Sequence, residues 1–252
     1  MEQVKLSIVI PAFNEERSIE SALTNMDELV KQEQKTYEIV VINDGSKDHT
    51  LPKALHFAEN NGHVKVLSFD VNNGKGYAVK TGFMRSSGDV VVFADSDLEI
   101  DLGVISRYIE ALNGGDIVIA SKWHPQSHVE ISTLRRILSH SFNVLVKLMI
   151  GVNIRDTQVG LKAIKKNSFE GIIPKLTIKR FAFDVELLAA AKSCGLRIVE
   201  MPVQLKLNAC PKFKEVLKMF VDLLRITWRI RVLRIYGKLG SKQNEYAEAA
   251  FG

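Results

Sequence analysis

The stretch Val90-Val91-Val92-Phe93-Ala94-Asp95-Ser96-Asp97 decides how the rest of the chain is read. A short run of β-branched and aromatic residues, entered just after Gly88, predicts a buried strand. The two aspartates then stand at the strand's carboxyl end, where open α/β sheets bind their ligands. Like charges this close, flanked by apolar chain, need a cation or hydrogen-bond donors to offset their repulsion. Hard carboxylate oxygens suit Mg²⁺ or Mn²⁺, which makes Asp95 and Asp97 candidate metal ligands. An ordinary Asp-Ser turn is the alternative, and the other segments bear on the choice.

Three of them repeat the pattern. Residues 6–10 predict a strand, followed by a turn at Pro11 and an acidic helix start around Glu15 and Glu16. Residues 37–42 predict a second strand, ending in Asn43-Asp44-Gly45-Ser46. Residues 64–69 predict a third, leading to Asn73-Gly74-Lys75-Gly76. Each strand ends in a polar or Gly-containing loop that runs into a helical pattern. This predicts a three-layer α/β architecture, a mostly parallel sheet with helices on both faces. Right-handed crossovers gather the strand ends at one edge, so Glu15, Asp44, Lys75, Asp95 and Asp97 are expected to share a cleft. The Gly74 loop is neither a P-loop nor a G-x-G-x-x-G turn, since Val79 stands at the third-glycine position; kinase and dehydrogenase readings lose support.

These motifs, from Ile8-Val9-Ile10-Pro11-Ala12-Phe13-Asn14-Glu15 through Asp95-Ser96-Asp97, resemble the nucleotide-sugar-binding half of family 2 glycosyltransferases of the GT-A fold. Asp156-Thr157-Gln158-Val159-Gly160-Leu161-Lys162, Phe183-Asp184-Val185-Glu186-Leu187 and Glu200-Met201-Pro202-Val203 resemble the signature of polyprenyl-phosphate sugar synthases, the dolichyl-phosphate glucose synthases most of all. The likeness runs in consistent order over roughly residues 4–235. It departs at Val159 and Leu161, where the family commonly has Cys and Phe, and at Ser121-Lys122, where it has Ser-Arg. Lysine there keeps the charge and loses the bidentate fork.

The resemblance implies an inverting transfer of a hexose, glucose from UDP-glucose, to a polyprenyl (dolichyl-type) phosphate. Pro11, Ala12 and Phe13 would frame the base, Glu15 would bind the ribose, and Asp44 would accept the uracil imide N–H. Gly74 and Lys75 would approach a phosphate or carbonyl, with Asp95 and Ser96 beside the ribose or metal and Asp97 on the metal. Departure of a diphosphate needs charge neutralisation, hence the divalent cation. A phosphate acceptor is already anionic at neutral pH, its second pKa being near ~6, so a strong base is dispensable and cations must gather the two anions. Lys122, Arg135, Arg136 and one of Lys212 or Lys214 are candidates. Asp156, Gln158 and Asp184 are polar residues in apolar context that the motif places at the site, with a helix N-cap the alternative for Asp184.

At 252 residues and 46% hydrophobic content the chain can bury a full core. Domain limits are expected at 1–210 for the catalytic unit, 211–240 for a basic amphipathic helical segment and 241–252 for a disordered tail. Residues 1–5 lack a signal-peptide core, and no window of about 18 residues is apolar enough to span a membrane. Cys194 and Cys210 are too few for a disulfide framework. A cytoplasmic protein, peripheral on a membrane, is the expectation.

The net charge of +5 is uneven, acidic before residue 121 and basic after it. No helix-turn-helix, zinc-finger or aromatic RNA-binding signature accompanies it, so an anionic membrane surface is expected rather than nucleic acid. Lys214, Lys218, Arg225 and Arg229 form one stripe of a helix over 212–236, with Leu217, Phe220, Val221, Leu224 and Trp228 among the apolar remainder. Its second half is too basic all round to pack fully inside. Residues 134–154 form a second apolar helix, opened by Arg135 and Arg136. A GDP-mannose-dependent enzyme, a catalytically silent binding module and a nucleotidyltransferase are the rival readings; the last would need a Gly/Lys-rich loop that 11–17 does not offer.

Overall fold

The structure, a computed structural model, describes residues 5–32, 36–96, 102–207, 213–233, 235 and 236. Asp97, Lys212, Arg234 and the 241–252 tail lie outside the described residues, and of Lys214 only the backbone is described. In chain order the elements are β1 (Leu6–Ala12), α1 (Ile19–Gln32), β2 (Tyr37–Asp44), α2 (Thr50–Glu59), β3 (Val64–Phe69), α3 (Lys75–Arg85) and β4 (Val90–Phe93). There follow α4 (Ile105–Ala111), β5 (Ile117–Ala120), β6 (His128–Ile131), α5 (Thr133–Ile150), β7 (Lys162–Lys165) and α6 (Lys166–Phe169). The last are α7 (Phe183–Ser193), β8 (Ile198–Met201), β9 (Gln204–Leu207) and α8 (Phe213–Arg231).

Seven strands form one sheet in the order β3-β2-β1-β4-β7-β5-β8. β7 runs antiparallel to both β4 and β5, and every other pairing in this sheet is parallel. A mostly parallel sheet between helices is therefore what forms, as the strand–loop–helix alternation requires. The chain moves outward from β1 to β3 and then returns to the other side of β1 as β4. That reversal opens a crevice between the ends of β1 and β4.

Period-two alternation sorts the strand side chains between the two faces. On β1, Val9 belongs to the core under α3 and α7, while Leu6, Ile8, Ile10 and Ala12 belong to the core under α1 and α4. Gly82 lets α3 lie directly on the sheet, since a Cβ there would stand 2.2 Å from Val9 Cγ1. β1 runs on through Pro11 to Ala12, and α1 opens only at Ile19. Glu15 thus sits in a turn before the helix, not in its first turn.

α8 packs on α5 and α7, with Leu223 and Ile226 fully buried in the α3–α7 core. Its second half is drawn inward at Arg229, while Arg231 stays exposed. Glu186 of α7 is wholly buried and accepts the backbone N–H of Thr177 and of Ile178, both at 2.8 Å, and the hydroxyl of Tyr236. Arg229 Nε stands 3.5 Å from that carboxylate and donates to the Tyr236 hydroxyl at 3.0 Å. Arg231 donates to the Leu148 carbonyl at 3.0 Å, and Arg225 pairs with Asp222 at 3.3 Å. A buried acid and free carbonyls take up the guanidinium groups that local periodicity leaves facing outward.

Beside the exposed Lys218, Arg225 and Arg231, α8 also exposes an apolar stripe. Leu217, Val221, Leu224 and Trp228 are all exposed and recur at i, i+4, i+7 and i+11, which is one helical stripe. On the adjoining α5, Leu134, Ile137, Leu145 and Leu148 form a second exposed stripe. No helix of the described residues is long and apolar enough to cross a membrane.

Candidate functional site

A cleft of about 400 Å³ opens at the carboxyl ends of β1, β2 and β4. Pro11, Ala12, Phe13 and Glu15 line it from the end of β1, Asp44 from β2, Gly74 and Lys75 from the start of α3, and Asp95 and Ser96 from the end of β4. These are all nine residues expected to meet a nucleotide sugar. Asn72, Arg180, Phe181, Lys218, Met219 and Asp222 complete the lining.

The β1 side is preorganised by the β2 loop. Asn14, with φ at 57°, receives Lys47 N–H on its side-chain oxygen at 2.9 Å and donates its own N–H to Ser46 Oγ at 3.0 Å. Glu15 N–H donates to Thr50 Oγ1 at 2.7 Å, and Ser18 Oγ donates to the Glu15 carboxylate at 2.7 Å. Asp44 is buried, and its two oxygens accept the N–H groups of Asn73 and Gly74, both at 2.8 Å. Burial pushes its pKa up, and those two N–H groups oppose the rise. Each oxygen retains a lone pair after these bonds.

Asp44 thereby fixes the loop that launches α3. Gly74 has φ at 100°, and a Cβ there would meet the Lys179 carbonyl oxygen at 2.4 Å, so the bend needs glycine. The bend places Lys75 Nζ 2.6 and 2.8 Å from the two oxygens of Asp95. The repulsion expected between acidic groups at this strand end is offset in part by a lysine. Among the described residues no group of three or more His, Cys, Asp or Glu side chains could hold a metal. Asp95 is the described member of the expected pair.

The remaining sequence candidates among the described residues are not part of this lining. Lys122 Nζ grips both oxygens of Asp156, at 2.9 and 2.8 Å, and both side chains are buried. Asp156 also accepts the N–H of Lys122 and of Gln158, each at 3.0 Å. Lys162, 1% exposed, pairs with Asp184 at 2.8 Å and donates to the Val159 carbonyl at 2.5 Å. Asp184 is in the first turn of α7, not at its cap, which is Ala182. These two ion pairs anchor both ends of the 156–162 loop. Between them Gly160 lies so close to Asp95 that a Cβ would fall 1.9 Å from Oδ2. In this structure Lys122 is held in a buried pair with Asp156 and does not line the cleft. Arg135 and Arg136, in the first turn of α5, do not line the cleft; Arg136 is exposed and Arg135 half-buried.

The ion pair carries its own prediction. Asp156→Ala leaves Lys122 buried without a partner and should cost about 3–5 kcal/mol of stability. Chemical denaturation reads this directly, and an unchanged midpoint would contradict the buried pairing.

No local pattern pointed to Asn72, Phe181, Met219 or Asp222. The Lys179-Arg180 pair, three residues before Phe183-Asp184, is the signal from which Arg180 was recoverable.

Comparisons with known proteins bear on the fold and the family. A Trichomonas vaginalis protein named dolichyl-phosphate beta-glucosyltransferase ALG5A is 33% identical over 248 residues, 90% of this chain and 76% of that one. Glycosyltransferase AglD of Haloferax volcanii is 28% identical over 236 residues, 91% of this chain but 38% of its own, so this chain spans well under half of that relative. Glucosyl-3-phosphoglycerate synthase from Mycobacterium tuberculosis, solved with Mn²⁺, UDP-glucose and phosphoglyceric acid, shares the fold with a TM-score of 0.67. That match has 19% identity and covers 89% of this chain and 79% of the other. The family model described as glycosyl transferase family 2 matches residues 7–173, from β1 past β7, and the chain belongs to that family.

Proposed function

We propose that this protein transfers glucose from UDP-glucose to a polyprenyl phosphate of the dolichyl type, with inversion at the anomeric carbon, while seated on a membrane surface. One observation carries the reading: the cleft holding Asp95 and Lys75 is walled by α8, whose outer face is an exposed apolar stripe. A site for a charged donor thus adjoins a surface fit for lipid. The names of the Trichomonas and other dolichyl-phosphate beta-glucosyltransferase relatives support it.

Pro11 and Phe13 offer apolar contact to a base, and the hydrogen-bonded turn at Glu15 offers a carboxylate to ribose hydroxyls. Asp44, with its spare lone pairs, can accept an imide N–H. Lys75 turns from Asp95 towards the incoming diphosphate, an exchange of one anionic partner for another. Asp95 then presents hard oxygens, a donor chemistry that fits Mg²⁺ or Mn²⁺ together with Asp97 and the diphosphate. A divalent cation held there would neutralise charge on the departing diphosphate. The acceptor phosphate needs no proton removed, so the protein's remaining task is to align two anions in a water-poor cleft.

Titration calorimetry with UDP and GDP tests the donor. UDP should bind at least about ten-fold tighter, the discrimination available from one well-placed hydrogen bond. Tighter binding of GDP would reject UDP-glucose and favour the GDP-mannose reading.

Co-sedimentation with anionic vesicles tests the surface. Replacing Leu148, Leu217, Leu224 and Trp228 with Gln should release most of the protein from the vesicles, since each exposed apolar side chain contributes by area buried in lipid. Added salt should weaken the wild type only partly, because exposed basic residues such as Arg136 and Lys218 supply the screened share. Equal sedimentation of both proteins would show that these stripes do not meet lipid.

A further inference from the structure

Arg180 and Lys218 reach the cleft from outside the nucleotide-binding motifs, one from the turn before α7 and one from α8. Among the described residues neither side chain is drawn into an ion pair or hydrogen bond, unlike Lys75, Lys122 and Lys162. Their acidic neighbour is Asp222, which is buried in the same wall. It already pairs with Arg225 at 3.3 Å. Arg225 and Arg180 both act on this one carboxylate, and Lys218 adds a further positive charge to the same wall of the cleft. Phe181 and Met219 lie beside them, and Phe181 is half exposed. Beyond Lys218 the surface continues as the exposed Leu217, Val221 and Leu224 stripe. A cationic pair that borders an apolar ridge matches an anionic head with a hydrocarbon tail.

We propose that Arg180 and Lys218 are the clamp for the acceptor, holding the phosphate monoester of a prenyl phosphate while its chain leaves over Phe181 and the outer stripe of α8. This rests on the reading of the protein as a prenyl-phosphate glucosyltransferase and names the residues that hold the second substrate. The clamped phosphate oxygen forms the new bond to the anomeric carbon. The bond from that carbon to the donor's diphosphate oxygen breaks, and its electron pair leaves with the nucleoside diphosphate. Proton transfer is not required, because the attacking oxygen is already anionic. Arg180 offers the forked, directional contact and Lys218 a point charge on a flexible stem.

The test uses the full chain saturated with UDP and Mg²⁺, titrated with geranyl phosphate and, separately, with 3-phosphoglycerate. Turnover is measured with UDP-glucose and the prenyl phosphate. Arg180→Gln and Lys218→Gln should each raise the Kd and KM for geranyl phosphate about ten-fold, as loss of one charge-assisted hydrogen bond predicts, with the UDP Kd unchanged. Arg180→Lys should recover part of the loss, and the melting temperatures should match wild type. Unchanged acceptor affinity in both variants, with turnover intact, overturns the clamp and leaves the glucosyltransferase reading standing. Equal weakening of UDP and geranyl phosphate overturns it too, by showing a general effect on the cleft. A wild-type protein that binds only 3-phosphoglycerate, or neither probe, overturns both the clamp and the lipid acceptor.

Discussion

Gly160→Ala should cost about a hundred-fold in turnover while leaving the melting temperature close to wild type. The added Cβ would stand 1.9 Å from Asp95 Oδ2 and 2.5 Å from its Cγ, closer than real contacts allow. The obstructing atoms are the end of a short, partly exposed side chain rather than backbone. The cheapest relief is therefore a rotation of Asp95 away from the loop. Stability barely changes, because the 156–162 segment stays anchored by the Lys122–Asp156 and Lys162–Asp184 pairs. Geometry does change. The two-oxygen contact with Lys75 is lost, and the carboxylate no longer stands where donor and cation require it. Displacing a catalytic group by about 1 Å is enough for a loss on that order. Steady-state turnover alongside a thermal melt checks this. Wild-type rates in the variant would show that Asp95 has freedom to spare.

Asp95→Asn should remove still more, roughly a hundred- to a thousand-fold in kcat, the scale of deleting one group that stabilises developing charge. The substitution keeps the size and removes the charge. Lys75 would lose its charge-assisted contact with Asp95 before the donor arrives, and the cation would lose an oxygen ligand. Asp97→Asn should fall in the same range, and EDTA should reproduce both losses in the unmodified protein, reversed by added Mn²⁺ or Mg²⁺. Full turnover in EDTA would remove the metal from the mechanism. Activity retained in Asp95→Asn with EDTA sensitivity intact would leave Asp97 as the ligand and Asp95 as a partner of Lys75 only.

Local pattern carried much of the site because its parts lie at strand ends. An apolar strand that stops at Asp95, and others that stop at Ala12 and Asp44, must present those ends together once the sheet is parallel. The expectation that Glu15 opened a helix was off by a turn, since Asn14 to Glu16 is instead stitched to the segment between β2 and α2 by side-chain hydrogen bonds. That stitching joins residues more than thirty positions apart and leaves no local trace. The reversed direction of β7 was equally hidden, because a four-residue strand reads the same whichever way it runs.

Hydrophobic periodicity, turn residues and chain order were enough by themselves to determine a three-layer α/β fold and the carboxylate-bearing edge of its sheet. Those signals act over a few residues or repeat along the chain. Charge partnership does not. Local pattern names no partner for Lys162 or Glu186, yet both are buried, because Asp184 and the Thr177 and Ile178 amides meet them across the core. Arg229 reads as part of a lipid-facing stripe and is instead spent on Tyr236 and Glu186. Lys122 is paired with Asp156 off the cleft lining, while Arg180 and Lys218, from distant parts of the chain, line the cleft. Only the tertiary structure decides which cations are neutralised and which stay available. A charge is satisfied by whatever approaches it in space, and spacing along the sequence does not record that approach.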